Sequence, residues 1–89
     1  MIYTLENDSL KVQVNSHGGE LWSIQTKDGV EYLWQGDETY WKDRALNLFP
    51  YIARLTEGKY MLDGKTYEMP IHGFVNSSDL EAEEHTAQR

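Results

Sequence analysis

The run Lys59-Tyr60-Met61-Leu62-Asp63-Gly64-Lys65-Thr66-Tyr67-Glu68-Met69 predicts a β-hairpin. Polar and apolar side chains alternate on both sides of Asp63-Gly64, and each side carries a tyrosine, which is typical of two partly buried strands. An Asp-Gly pair favours a tight two-residue turn because both residues tolerate positive φ. The chain is therefore expected to contain antiparallel strands on either side of this turn.

Two more hairpins are predicted in the N-terminal half of the chain. One joins residues 2–5 to residues 10–14, and the other joins residues 20–26 to residues 30–34 through Lys27-Asp28-Gly29. Each of these segments alternates with period two, as half-buried strands do. Strict alternation in the third segment places Leu21, Ser23 and Gln25 on one face and Trp22, Ile24 and Thr26 on the other.

The middle of the chain is expected to be irregular. Between residues 38 and 48 the alternation fails, so we expect a loop or a single helical turn. Pro50 interrupts the apolar residues 49–55, which limits them to an edge strand or a loop. The predicted fold class is all-β, built from antiparallel hairpins.

Composition narrows the classes of partner. The chain has 89 residues, enough for one small domain covering 1–89, and 39% of them are hydrophobic. A net charge of −7 argues against binding to nucleic acid and to anionic membranes. Cysteine is absent, and neither a signal peptide nor a spanning segment is visible. We therefore predict a soluble, cytoplasmic protein.

Residues 76–89 form a polar tail. They include several glutamates and His85 but few apolar side chains, so the sequence offers no reason for them to be ordered. A domain that ends without a final apolar strand is expected to be truncated.

The histidines do not indicate a metal site. His17, His72 and His85 share no ligand spacing, and no carboxylate stands beside them in a metal-binding motif. The chain also lacks a phosphate-binding glycine loop and a serine nucleophile motif. We predict no metal and no cofactor.

Arg54 and His72 are the candidate binding residues. Each follows a proline-containing break and is flanked by apolar residues. An arginine in such surroundings must find a partner or reach a cleft. A purely structural reading remains open for both: Arg54 could pair with Glu57 or Glu68, and His72 could hydrogen-bond the backbone near a turn.

The segments around these two residues resemble the aldose 1-epimerase (galactose mutarotase-like) family, in particular its members from bacterial sugar operons. The resemblance lies in residues 48–55, in Gly58-Lys59-Tyr60, in residues 63–67, and in Met69-Pro70-Ile71-His72-Gly73-Phe74. It implies that the chain is the N-terminal portion of a large β-sandwich (supersandwich). It also implies that Arg54 and His72 hydrogen-bond an aldose of the galactose or glucose type.

The family's reaction interconverts the α and β anomers of aldoses. The resemblance implies that its glutamate base and its histidine acid lie further along the family's chains. We therefore assign no catalytic residue to 1–89 and expect part of a sugar-binding site that is inactive alone. The alternative is a non-enzymatic β-protein, and a gene fragment without a selected function is a third possibility. An incomplete sandwich exposes strand edges, so we also expect a homo-oligomer.

Overall fold

The computed structural model describes residues 1–89 and contains five β-strands and no α-helix. The strands are β1 (Ile2–Glu6), β2 (Leu10–Asn15), β3 (Glu20–Thr26), β4 (Lys59–Leu62) and β5 (Lys65–Glu68). β1, β2 and β3 form one antiparallel sheet in that order, and β4 pairs with β5. The predicted all-β class is confirmed. Two short 3-10 turns complete the structure. No helix is long and apolar enough to cross a membrane.

The β4–β5 hairpin forms around Asp63-Gly64, as predicted. The two residues have φ of 50° and 76°, the left-handed values that a two-residue turn of this kind requires. Tyr60 lies opposite Tyr67, and their rings stack with centroids 5.3 Å apart. This cross-strand aromatic pair stabilises the register.

The three-stranded sheet has one apolar face. Its register pairs Tyr3 with Val14, Leu5 with Val12, and Val12 with Ile24, and residues directly opposed across strands share a face. The apolar face consists of Tyr3, Leu5, Leu10, Val12, Val14, Leu21 and Ile24. The other face is polar, because the alternate positions carry side chains such as Thr4, Gln13 and Ser23.

A β-bulge in β3 corrects the predicted alternation. Gln13 pairs with Ser23 but the next residue, Val14, pairs with Leu21, so Trp22 has no residue opposite it. A bulge inserts one extra residue and thereby changes which side chains share a face. Leu21 consequently lies with Val14 on the apolar face and not with Ser23, as strict alternation had predicted.

The predicted return strand at residues 30–34 is not formed. A single bridge joins Gln25 to Glu31. The Glu31 carboxylate accepts hydrogen bonds from the Ser23 hydroxyl, from the Ile24 N–H at 2.8 Å and from the Leu33 N–H at 3.0 Å. The Ile24 N–H donates to the Glu31 carboxylate and is no longer available to a paired strand, so the ladder stops after one bridge.

These hydrogen bonds make the stability of the chain acid-sensitive. The Ser23 hydroxyl first, and then backbone N–H groups, lower the pKa of Glu31 from 4.5 to about 2. A lowered pKa stabilises the fold above pH 4.5, and this contribution is lost as the pH falls from 4.5 towards 2. We expect the melting temperature of Glu31→Gln to depend less on pH in this window than that of the parent chain. Equal acid dependence in the two proteins, measured by circular dichroism, would contradict the prediction.

The polar tail makes specific contacts, contrary to the expectation from its composition. His17 Nδ1 lies 2.8 Å from a carboxylate oxygen of Asp79, and the His85 ring N–H donates to the Thr4 carbonyl at 2.8 Å. The His85 ring also packs edge-on against Tyr3, with centroids 5.1 Å apart. Polar side chains of the tail therefore contact β1 and the turn between β2 and β3.

The chain does not bury a hydrophobic core. Four of 89 residues are buried and none of them is hydrophobic. The radius of gyration is 16.6 Å, against about 12 Å for a compact chain of this length. The accessible surface of 7017 Å² likewise exceeds the roughly 5,400 Å² expected for this mass. Residues 1–89 thus form a thin layer whose apolar side chains remain in contact with solvent.

Candidate functional site

The candidate site is built by two irregular segments that hydrogen-bond to each other. The Phe49 N–H donates to the His72 carbonyl at 3.2 Å, and the Phe74 N–H donates back to the Phe49 carbonyl at 2.9 Å. The His72 N–H reaches the Ala53 carbonyl at 3.0 Å. Backbone bonds therefore bring the segment that ends in Arg54 against the segment that contains His72. The Phe49-Pro50 peptide is cis.

Gly73 makes this close approach possible. It is buried, has a φ of 79° and forms a parallel bridge with Phe49. A Cβ atom at this position would overlap the backbone of Phe49 and Pro50. A side chain is thus excluded both by the left-handed conformation and by the neighbouring backbone.

His72 is held in one tautomer. The Ala53 N–H donates to His72 Nδ1 at 2.9 Å, so this nitrogen carries no proton and the neutral ring is protonated at Nε2. Nε2 makes no hydrogen bond within the chain, and the side chain is half-buried. The structural reading, a histidine bonded to backbone near a turn, is correct for Nδ1. Nε2–H remains a donor for a ligand.

Both residues of this hydrogen bond adopt strained backbone conformations. Ala53 has a φ of 83° and His72 a φ of 63°, and neither is a glycine. Left-handed conformations cost roughly 1–2 kcal/mol for each such residue. Strain of this kind is concentrated at functional sites, where it fixes side-chain direction.

Arg54 follows Ala53 directly and is exposed. It forms no salt bridge or hydrogen bond, so the pairing with Glu57 or Glu68 that the sequence had left open is absent. Arg54 directly follows Ala53, which is hydrogen-bonded to His72. The Arg54 guanidinium and His72 Nε2–H make no hydrogen bond within the chain. A guanidinium fork and an imidazole N–H are both donors of the kind that hydroxyl groups accept.

The carboxyl groups with a displaced pKa lie outside the two segments that carry Arg54 and His72. The two carboxyl groups with displaced pKa are Asp28 and Glu31, and hydrogen bonds from Thr26 and Ser23 respectively lower both of them. A lowered pKa makes a carboxylate a weaker base. No group of three side chains is positioned to hold a metal ion.

Sequence reasoning missed Arg44 and Asn47, which fasten the irregular middle of the chain to the sheet. The Arg44 guanidinium stacks 3.7 Å from the ring centre of Trp22 and donates to the Trp22 carbonyl at 2.7 Å. Asn47 donates from one nitrogen to the carbonyls of Gly18 and Gly19. These contacts span more than twenty residues, and no local periodicity signals them.

The chain belongs to the aldose 1-epimerase family, whose sequence model matches residues 1–88. It is 38% identical over 91 residues to the plasmid form of protein LacX from Lactococcus lactis subsp. lactis, covering 94% of this chain and 30% of LacX. The chromosomal form of LacX gives the same identity over 89 residues. The chain therefore spans under a third of the length of these relatives.

Solved structures agree with this assignment. A galactose mutarotase related enzyme from Lactobacillus acidophilus superposes with a TM-score of 0.92 at 39% identity, over 98% of this chain and 29% of that one. A galactose mutarotase-like protein from Lactobacillus casei gives a TM-score of 0.87 at 37% identity, over 94% of this chain and 29% of that one. The galactose mutarotase-like fold predicted from the sequence is confirmed.

Proposed function

We propose that residues 1–89 are the sugar-contacting N-terminal part of an aldose 1-epimerase-like protein of carbohydrate metabolism. Arg54 and His72 bind the hydroxyl groups of an aldose of the galactose or glucose type. One observation carries the proposal: the Ala53 N–H donates to His72 Nδ1, which leaves Nε2–H as a free donor on a residue bonded to the neighbour of the unpaired Arg54. Family membership supports a sugar ligand. A cytoplasmic location, expected from the cysteine-free sequence, belongs to the same proposal.

The family reaction opens the hemiacetal ring, so it needs one group to take the anomeric proton and another to protonate the ring oxygen. Within residues 1–89 the guanidinium and the Nε2–H only donate hydrogen bonds to the sugar. We therefore propose that this chain alone binds the ring without accelerating interconversion of its anomers. Polarimetry of fresh α-D-galactose should give the buffer rate.

Binding is tested by long-range nitrogen–proton NMR of the three histidine rings during titration with galactose or glucose. We expect the Nε2 resonance of His72 to move and the signals of His17 and His85 to stay. The latter two are internal controls, because neither lies in the two segments that form the candidate site; His17 Nδ1 contacts Asp79 and His85 Nε2 donates to the Thr4 carbonyl. Sorbitol, which has no ring, is the ligand control. Equal shifts in all three histidines, or none, would refute sugar binding by His72.

A second candidate function, a non-enzymatic homo-oligomer, is favoured by the absence of any buried hydrophobic residue. In this case the apolar side chains pack between copies, and Arg54 and His72 have structural roles. Sedimentation velocity at several concentrations distinguishes the two. A defined oligomer together with unresponsive histidines would favour it over sugar binding.

A further inference from the structure

We propose that Gly18 and Asn47 are positioning residues of the candidate site. Neither is hydrogen-bonded to Arg54 or His72. Together they fasten the two segments that carry Arg54 and His72 to one turn of the three-stranded sheet, the turn between β2 and β3. The consequence for sugar binding rests on the proposed function, whereas the positioning itself can be measured without a ligand.

Asn47 fastens the first of these segments. Its side-chain nitrogen donates to the Gly18 carbonyl at 3.0 Å and to the Gly19 carbonyl at 2.7 Å. Asn47 stands two residues before Phe49, whose backbone bonds to the other segment. Ala45 also forms a bridge to β3. The chain that leads to Arg54 therefore starts from a fixed point on the sheet.

Gly18 fastens the second segment. Its N–H donates to the Ser78 carbonyl at 2.7 Å, and Ser78 stands six residues after His72. Gly18 is buried and has a φ of 79°, and a Cβ atom there would lie 2.9 Å from the backbone oxygen of Asn76. The turn thus admits this segment only because residue 18 has no side chain.

The turn and the two segments form a closed ring of contacts. The bridge between Phe49 and Gly73 joins the segments to each other, and Gly18 and Gly73 at the two junctions are among the only four buried residues of the chain. The bond from the Ala53 N–H to His72 Nδ1 lies between the same two segments. Its geometry, and the tautomer that it fixes, therefore depend on how both segments are held.

Asn47→Asp tests the first fastening. Aspartate has the shape of asparagine but no N–H donor, so it loses both bonds to the turn. We expect the amide protons of Ala53 and Phe74 to exchange about tenfold faster than in the parent chain. His72 should change from a single Nε2–H tautomer to a mixture, observed by nitrogen–proton NMR, and galactose should bind about tenfold more weakly. The amides that pair β1 with β2 should keep their exchange rates.

Gln35→Glu is the matched control. Gln35 is exposed, as Asn47 is, and it also donates from one nitrogen to two backbone carbonyls, both at 3.1 Å. The substitution removes the same number of bonds and adds the same charge, but outside the ring that holds the site. We expect parent values for the exchange of the Ala53 amide, the His72 tautomer and the affinity for galactose.

Gly18→Ala tests the second fastening, with Gly29→Ala as its control. Gly29 has a φ of 86°, but a Cβ atom there meets nothing within 4 Å. Both variants incur the conformational cost of a left-handed alanine, and only Gly18→Ala displaces the segment that contains Ser78. We expect faster exchange of the Ala53 amide in Gly18→Ala alone. If this variant does not fold, Asn47→Asp, at an exposed position, decides the proposal.

The outcomes separate positioning from sugar binding. Faster exchange and a mixed His72 tautomer in Asn47→Asp would support positioning, even if the parent chain does not respond to galactose and the sugar site is refuted. Unchanged exchange and tautomer in Asn47→Asp would overturn positioning, and a galactose response of the parent would then still support sugar binding. Equal changes in Asn47→Asp and Gln35→Glu would also overturn positioning, because the effect would follow from a general loss of stability.

Discussion

Gly73→Ala is expected to dismantle the candidate site. The substitution adds roughly 1–2 kcal/mol for a left-handed alanine. Its methyl group would also overlap the Phe49 carbonyl, and no rotamer relieves a clash with backbone. We expect a total loss of about 3 kcal/mol or more, a large fraction of the stability of a small domain. We expect the variant to show neither a cooperative thermal unfolding transition nor a sugar-dependent shift of the His72 signal.

Gly64→Ala is the matched control for this prediction. Gly64 has a φ of 76°, close to that of Gly73, but a Cβ atom there meets nothing within 4 Å. The control therefore pays only the conformational cost, about 1–2 kcal/mol, and should keep the sugar response. If the two variants lose equal stability, the close approach of Gly73 to Phe49 is not what holds the site together.

Local sequence patterns predicted the strands well because each pattern acts within a few residues. Asp63-Gly64 favours a two-residue turn with positive φ at both residues, and the hairpin formed around it. The return strand at residues 30–34 failed for the opposite reason. The Glu31 side chain captured a backbone donor of β3, and competition of this kind is invisible in an apolar–polar alternation.

The site was predictable only in part. The residue types and the family resemblance singled out Arg54 and His72, whose sugar-binding role remains a proposal. The tautomer of His72 depends on a hydrogen bond from Ala53, 19 residues away. The left-handed conformation of Ala53 likewise has no signal in its residue type, since alanine disfavours it. Contacts between distant loops determine these properties, and periodicity does not encode them.

Arg54→Ala and Arg44→Ala both remove an arginine side chain, but we expect the first to abolish sugar binding and the second to lower stability. Arg54 is exposed and unpaired, so its loss should leave the melting temperature within about 2 °C and abolish the sugar response of His72. Arg44 stacks on Trp22 and donates to the Trp22 carbonyl and to Gln35. Its loss should cost about 2 kcal/mol and lower the melting temperature by roughly 8–16 °C.

Sugar titration of the folded fraction makes the contrast between the two arginines decisive. Molecules of Arg44→Ala that remain folded should bind as the parent does, since Arg44 serves the packing of the middle segment onto β3. Arg54→Lys tests the geometry of the contact, because lysine keeps the charge but loses the planar fork that matches two hydroxyls. We expect about tenfold weaker binding, equivalent to about 1.4 kcal/mol. Full binding by Arg54→Ala would instead contradict a sugar-binding role for Arg54 and leave His72 as the only proposed sugar contact in this chain.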